Sequence, residues 1–557
     1  MAQKTKAATP RVFLIDARRL AETKHRIQSG DKTFAAALAK LETDARRTMQ
    51  QTPSSVVTKV VAPPSGDKHD YMSQAPYFWP NPGKPDGQPY IKDAVRQSIE
   101  AGLNVKTNFT PPEDFILPLR ELVKEGTVSM KTLDDRVRDV LRVKFLVGIF
   151  DHPYVPDADA SARILNSAEH QEVALRAARE SMVLLKNEKN ILPLGKQIVS
   201  LAVIGPNAAD DSTAQYRYGP SGVKGITVLE GIKRKLGDRV KVNYAKGCEI
   251  TSAHWPETEV LPEPLTREEQ DEISKAVEAA RNSDVAVVVL GDSGKTVGES
   301  ASRTSLDLPG HQLELVQAIY AVGKPVIVVL INGRPLSINW VNKFVPGILE
   351  AWFPGVQGGT AIADVLFGDY NPGGKLTVTF PKTAGQIPYN FPTKPNAQWE
   401  GEKSRVNGAL YYFGYGLSYT TFTYSNLKIS PAAPQLRASS GPNVFSPRNI
   451  DVSFEVKNTG SRAGDEVVQL YTRELVTSIT TYEKNLRHFT RIHLGPGETV
   501  GVHFGLVPDQ LAFWNHEMKF CCRARNDSGD DWSFFRRHSS DWRIYHSSLF
   551  KGVSENP

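Results

Sequence analysis

Residues 284–310 read DVAVVVLGDSGKTVGESASRTSLDLPG. Asp284 to Leu290 is a short, valine-rich apolar run, the pattern of a strand buried on both faces. Gly291-Asp292-Ser293-Gly294 stops it with loop chemistry. The loop carries Gly298-Glu299-Ser300 and closes at Leu308-Pro309-Gly310, after which His311 to Ala321 reads as a helix. Glu299 therefore lies on a long loop just past the carboxyl end of a buried strand. Ligands gather at that edge in open α/β sheets, so Glu299 is the first candidate for chemistry, against the alternative of a merely solvated loop glutamate.

On both sides of this stretch strands and helices alternate. Strands are expected at Val199–Ile204, Val240–Tyr244, Pro325–Ile331 and Gly347–Trp352. Helices are expected at Val228–Leu236, Thr266–Ser283 and Gly358–Phe367. Such repetition argues for a mostly parallel sheet with helices on both faces, an α/β sandwich. Upstream, amphipathic helices are expected over 113–126, 132–150 and 168–186. The second places Val137, Val140, Leu141, Phe145 and Ile149 at three-four spacing. Ala94 to Phe109 reads as a helix stopped at Gly102, followed by a short strand.

Downstream of Pro381 the chain is loop-rich through Tyr411-Tyr412-Phe413-Gly414-Tyr415-Gly416, and Pro431–Pro447 reads as a linker. Ile450–Asn458, Val467–Arg473 and Thr499–Phe504 alternate apolar and polar residues between Gly-containing turns, the mark of a β-sandwich. After Phe520 neither alternation nor helical period is seen, and this tail is expected to be poorly ordered.

The totals describe a multidomain globular protein: 557 residues, 40% hydrophobic, 23% charged, net charge +6. Basic and acidic residues are interspersed, so nothing points to nucleic acid. Cys248 is isolated and Cys521-Cys522 are adjacent, so neither a disulfide framework nor a metal cluster is implied. No apolar run reaches membrane-spanning length, and the basic start lacks an apolar core, so a cytoplasmic location is expected. No cofactor is expected.

Lys68 to Ile91, KHDYMSQAPYFWPNPGKPDGQPYI, is dense in Pro, Gly and aromatic residues. Its rings, interleaved with His69, Asp70 and Asn81, suit either stacking on sugars or pinning an ordered loop. Val12 to Ile91, with HDYMSQAPYFWP as its specific part, resembles the start of polysaccharide lyase family 5, the alginate lyases, whose fold is an α/α toroid. The rest of that toroid does not follow.

From about Ala94 to Phe520 the chain resembles glycoside hydrolase family 3 enzymes of the bacterial β-glucosidase type. The strings that carry this are IEAGLNVKTNF, RVRDVLRVKFLVGIFDHPY, RESMVLLKN, AVIGPNA, NYAKGC, GDSGKTVGESASR, WFPGVQGGTAIADVLFGDYNPGGKLTVTFP and YFGYGLSYTTF. VKNTGSRAGDEVVQLY is similar to the family's fibronectin type III-like domain. The resemblance implies a (β/α)8 barrel, an α/β sandwich and that β-sandwich in order. Five segments are expected: a lyase-like helical fragment (1–92), the last strand-helix unit of a barrel with linker helices (93–160), the α/β sandwich (161–425), the fibronectin-like domain (426–520) and the anomalous tail (521–557).

The resemblance also implies retaining hydrolysis of terminal β-linked sugars. A barrel aspartate attacks the anomeric carbon while a loop glutamate protonates the leaving oxygen and then activates water, the two carboxyls standing about 5–5.5 Å apart. Glu299, in VGESASR, matches the acid/base. Arg303 matches a motif arginine and enters as a substrate-binding candidate, with ordering of the loop its expected role. The Ser-Asp-Trp-like motif that carries the nucleophile has no counterpart upstream, where Asp70, Asp86 and Asp93 lack it. Ser540-Asp541-Trp542 lies beyond the sandwich, in the tail. Three readings remain: a β-glucosidase-type hydrolase, a fused chain that binds carbohydrate without turnover, and an alginate lyase-like module.

Overall fold

The computed structural model describes residues 17–31, 92–106, 112–154, 164–210, 223–394, 408–430, 450–473 and 479–521, apart from single-residue breaks, with isolated positions and short pieces elsewhere. The aromatic loop at 68–91, Asp70, Asp86, Ser540–Trp542 and the tail from 522 lie outside the described residues. Two compact units are resolved, residues 1–158 and 159–557.

Among the described residues of the first unit the helices include α1 (Ala17–Gln28), α2 (Lys92–Ala101), α3 (Glu113–Lys124) and α4 (Met130–Leu146). Val95 and Ile99 of α2 meet Leu122 of α3 and Val128, with Phe115, Leu119 and Val123 packed around them. Ser129 caps α4, its hydroxyl accepting from Thr132 N. The apolar stripe of α4 is present as its spacing predicts, yet Val137, Leu141 and Phe145 are exposed. The expected strand after Gly102 is corrected over Leu103–Lys106, which is irregular, while 107–109 lies outside the described residues; no strand occurs among the described residues of 92–154. Among the described residues Leu103–Lys106 pairs with no strand, and the helices around it pack on one another.

The second unit opens with α5 (Ala168–Ser181), β1 (Val183–Asn187), β2 (Ser200–Ile204), α6 (Val228–Leu236), β3 (Lys241–Ala245) and the single turn α7 (Glu257–Val260). It continues with α8 (Arg267–Arg281), β4 (Val285–Gly291), α9 (Gln312–Tyr320), β5 (Val326–Ile331), α10 (Asn339–Phe344), β6 (Gly347–Glu350) and α11 (Gly358–Phe367). The strand order is β1-β6-β5-β4-β2-β3. All neighbours pair parallel except β1, which runs antiparallel to β6 at the edge.

This edge strand corrects the sequence reading, which continued a helix to Lys186. The helix stops at Ser181, and Met182, Val183, Leu184 and Leu185 are buried. An apolar run of that length is indistinguishable from a buried helix turn by period alone; pairing with Gly347–Glu350 decides it.

The centre of the sheet is β4, all seven of whose residues are buried. Its alternate side chains feed two cores. Val285, Val287 and Val289 pack with α6 and α11; Ala286, Val288 and Leu290 pack with α8, α9 and α10. Burial of each such valine or leucine contributes about 1.5–3 kcal/mol. Capping boxes at Thr227/Glu230 and Thr266/Glu269 start α6 and α8. Helices α6 and α11 cross at Gly231 and Gly359: a Cβ on Gly231 would lie 2.0 Å from the Gly359 carbonyl oxygen.

The aromatic stretch 410–419 packs on both cores. Tyr411 donates to Asn342, Tyr415 to the Leu185 carbonyl and Tyr419 to the Val365 carbonyl. The fibronectin-like part has a three-stranded sheet of 422–430, 450–458 and 499–506 and a pair of 464–472 with 485–494. A buried pair, Lys375 with Glu466 at 3.2 Å, ties it to the α/β part. Within the expected linker, 437–438 pairs with 445–446. No helix among the described residues is long and apolar enough to cross a membrane.

Candidate active site

The carboxyl end of β4 is pinned before the loop begins. The buried side chain of Gln312, first residue of α9, accepts from Gly291 N (2.8 Å) and donates to Gly291 O (2.9 Å) and Pro309 O (3.0 Å). Gly291 has φ +141° and packs against the β5 backbone, where a Cβ would lie 1.9 Å from Ile331 O. Only glycine holds that position without displacing a strand.

Asp292 follows, fully buried. The Thr296 hydroxyl donates to its Oδ1 (2.8 Å), and Arg303 and Arg334 stand 3.5 and 3.6 Å away. Burial pushes its carboxyl above the usual range, opposed by Thr296 and the two arginines. Ser293 N donates to Thr296 Oγ1 (3.0 Å) and Thr296 N to Ser293 O (3.0 Å), closing a turn. Arg334 donates to Thr296 O.

Glu299 sits beyond this anchor on a second turn, Gly298 to Ala301, closed by Ala301 N donating to Gly298 O (3.1 Å); Gly298 has φ +118°. Glu299 is exposed. Arg303 then returns the chain to the interior. Its side chain is 2% exposed. Its Nε donates to Glu259 Oε1 (2.8 Å) and its Nη2 to Asp307 O (2.8 Å), and the guanidinium stands 5.9 Å from the Trp255 ring centre. Ser305 N also donates to Glu259 Oε1 (3.3 Å).

Three further strand ends bring polar residues to the same edge. Asn207, past β2, donates to Asp292 O (2.9 Å). Asn332, past β5, donates to Arg334 O (2.8 Å) and to Glu350 Oε2 (3.2 Å). Glu350 ends β6 and accepts from Trp352 N (2.9 Å). Complete burial pushes its carboxyl well above the usual range, against the pull of Trp352 N and Asn332, and Asp292 adds to the rise. Trp352 itself has φ +56°.

Sequence reading named Glu299 and Arg303 but passed over Glu259, Asp292, Asn332 and Glu350. The available signal was a polar residue directly after each apolar run: GD after VVVL, NG after VVLI, E after GIL. Glu259 had no such signal. Asp93, in the other unit, is on the exposed first turn of α2, held by Arg96 and Gln97 (2.6 Å each). Among the described residues no group of three or more His, Cys, Asp or Glu side chains is arranged to hold a metal.

A mostly parallel sheet with its polar residues gathered at the carboxyl edge, followed by a fibronectin-like sandwich, defines the class. Residues 182–419 match the glycosyl hydrolase family 3 C-terminal domain and residues 466–526 a fibronectin type III-like domain. Among curated relatives, the chain is 42% identical over 411 residues to a beta-xylosidase of Formosa agariphila, covering 72% of this chain and 53% of that one. It is 40% identical over 452 residues to a periplasmic beta-glucosidase of Salmonella typhimurium, covering 77% and 57%. Among solved structures, a β-glucosidase from Erythrobacter marinus superposes with a TM-score of 0.67 at 34% identity, over 79% of this chain and 58% of the other. A Listeria innocua beta-glucosidase in complex with isofagomine gives 0.66 at 31%, over 78% and 57%. The chain thus spans little more than half the length of these relatives.

Proposed function

We propose that this chain carries the acid/base side of a retaining β-glycosidase site acting on terminal β-linked glucosides or xylosides, with Glu299 as the proton donor. In that chemistry the glycosidic C–O bond breaks as the Glu299 proton passes to the leaving oxygen and a carboxylate takes the anomeric carbon. Glu299, now ionised, then draws a proton from the water that releases the sugar. The observation that carries this reading is the mounting of Glu299: an exposed turn at the carboxyl edge of the sheet, both of whose flanks are fixed by buried polar contacts. Arg303 orders this loop rather than meeting the sugar, because its guanidinium is buried and engaged by Glu259, Asp292 and Asp307 O.

None of Asp70, Asp86, Asp93 or Asp541 is assigned as the attacking carboxylate, since none lies in an upstream Ser-Asp-Trp motif. That observation favours a second reading: a chain descended from such hydrolases, fused at its start to a lyase-like fragment, that binds β-linked sugars without turning them over. Assay of phenyl and nitrophenyl β-glucosides and β-xylosides separates the two. Turnover that falls about 10²–10⁴-fold in Glu299→Gln supports the first reading. Turnover untouched by that change overturns the role given to Glu299, and no turnover by the full chain supports the second.

A further inference from the structure

We propose that Glu259 is a positioning residue for the Glu299 turn, acting through Arg303, and that residues 250–263 form a strap that sets the reach of the acid/base. The inference rests on the reading of Glu299 given above.

Glu259 and Arg303 are 44 positions apart in the chain and lie in different connections, yet their side chains are 5% and 2% exposed. Buried charges are costly unless paired, and here one carboxylate oxygen receives two donors from the loop, Arg303 Nε and Ser305 N. Neutralising Glu259 therefore weakens the backbone contact as well as the side-chain one, since both lose the charge on their shared acceptor.

The strap is itself fixed. Ser252 and Thr258 hydroxyls bond at 2.7 Å, the half-buried Trp255 ring lies by the Arg303 guanidinium, and Pro256 precedes the turn that presents Glu259. Its start packs on the end of the acid/base loop, where a Cβ on Gly310 would lie 2.8 Å from Ile250 O.

The geometry between the anchors makes the strap matter for chemistry. Thr296 is held by Asp292 and Arg334 on one side, Arg303 by Glu259 on the other, and Glu299 lies between them on its own turn. With both ends fixed, so short a span presents its carboxyl in one place. With the Arg303 end loosened to its contacts with Asp292 and Asp307 O, the turn shifts about Thr296. A displacement of about 1 Å at a reacting group costs on the order of 10²-fold in rate. The exposed glutamate thus takes its precision from a buried one contributed by another connection of the sheet.

The test compares substrates that need a proton donor with substrates that do not. A phenyl β-glycoside leaves as a poor anion and requires protonation; a dinitrophenyl β-glycoside does not. In Glu259→Gln, kcat/KM for the phenyl substrate should fall about 10–100-fold, with the dinitrophenyl substrate changed by less than about threefold. Equal losses on both substrates, or none, overturn the positioning role. Glu299→Gln run alongside should show the same selectivity more strongly; if it shows none, the acid/base reading fails independently of Glu259. Where the full chain turns over neither substrate, hydrogen exchange decides. Amides of residues 294–302 should exchange at least about tenfold faster in Glu259→Gln, with β4 and β5 unchanged. Unaltered exchange in that span overturns the proposal.

Discussion

Replacing Gly291 by alanine probes the joint between the central strand and the acid/base loop. The added methyl meets Ile331 O at 1.9 Å and its carbonyl carbon at 2.6 Å, and both are backbone atoms of β5. The residue must also hold φ +141°, a region that L side chains rarely enter. Backbone strain of that kind costs about 1–3 kcal/mol. Forcing a methyl into a packed interior costs about 1–3 kcal/mol more. Relief requires β4 to move from β5 at its last residue, which strains the two Gln312 bonds to Gly291 and displaces Asp292. The expected loss is about 2–6 kcal/mol. With a denaturant slope of about 3 kcal/mol per molar urea, the unfolding midpoint falls by about 0.7–2 M. The control is Gly294→Ala, three residues on, where nothing lies within 4 Å of the new Cβ. That change should leave the midpoint in place or raise it slightly, because alanine restricts the unfolded chain. Urea titration followed by circular dichroism reads both. If Gly291→Ala melts within about 0.3 M of the parent, the close approach at the strand end does not govern the joint, and the account of how the loop is launched fails.

Glu350 supplies a pH signature. Its folded carboxyl lies well above 4.5 because it is wholly buried, so between its unfolded and folded values the native state holds a proton that the unfolded chain releases. Its contribution to stability is therefore full at low pH and is lost as pH rises through the folded value, at up to about 1.4 kcal/mol per pH unit. Glu350→Gln removes the titration, so the variant should gain on the parent in urea midpoint between pH 5 and pH 8; a constant difference across that range contradicts a buried, protonation-linked carboxyl. Cys248 is buried, and burial pushes its thiol up to about 12. In a Cys521→Ser/Cys522→Ser background a thiol reagent should label it only after unfolding, and fast labelling of the native protein would contradict its placement in the second core.

Much of the α/β architecture was legible because its signals are local. The run VAVVVL at 285–290 has no side on which to meet water, so it had to be a central strand. The capping boxes at Thr227 and Thr266 mark where two helices begin within a few residues, each side chain bonding three positions away. Even the place of Glu299 follows locally, since the loop must leave a parallel strand at its carboxyl end. The failures share one cause. Met182 to Leu185 is equally apolar as helix or strand, and only the antiparallel ladder with β6 makes it the sheet's edge. The stripe on α4 is helical as read, but its exposure depends on what stands opposite it rather than on its own period.

The sequence by itself determined which segments must be buried and that an acidic loop leaves the central strand, because hydrophobic period and turn chemistry act over a few residues. Only the tertiary structure decided how that loop is held. Glu259 reaches Arg303 from 44 positions away, Asn207 reaches Asp292 from 85, and the elevated carboxyl of Glu350 exists because four strand ends converge in a place without solvent. No residue's own type encodes such contacts. They arise when parallel strands, each ordinary in sequence, bring their carboxyl ends side by side and a buried charge finds its partner there or is not tolerated at all.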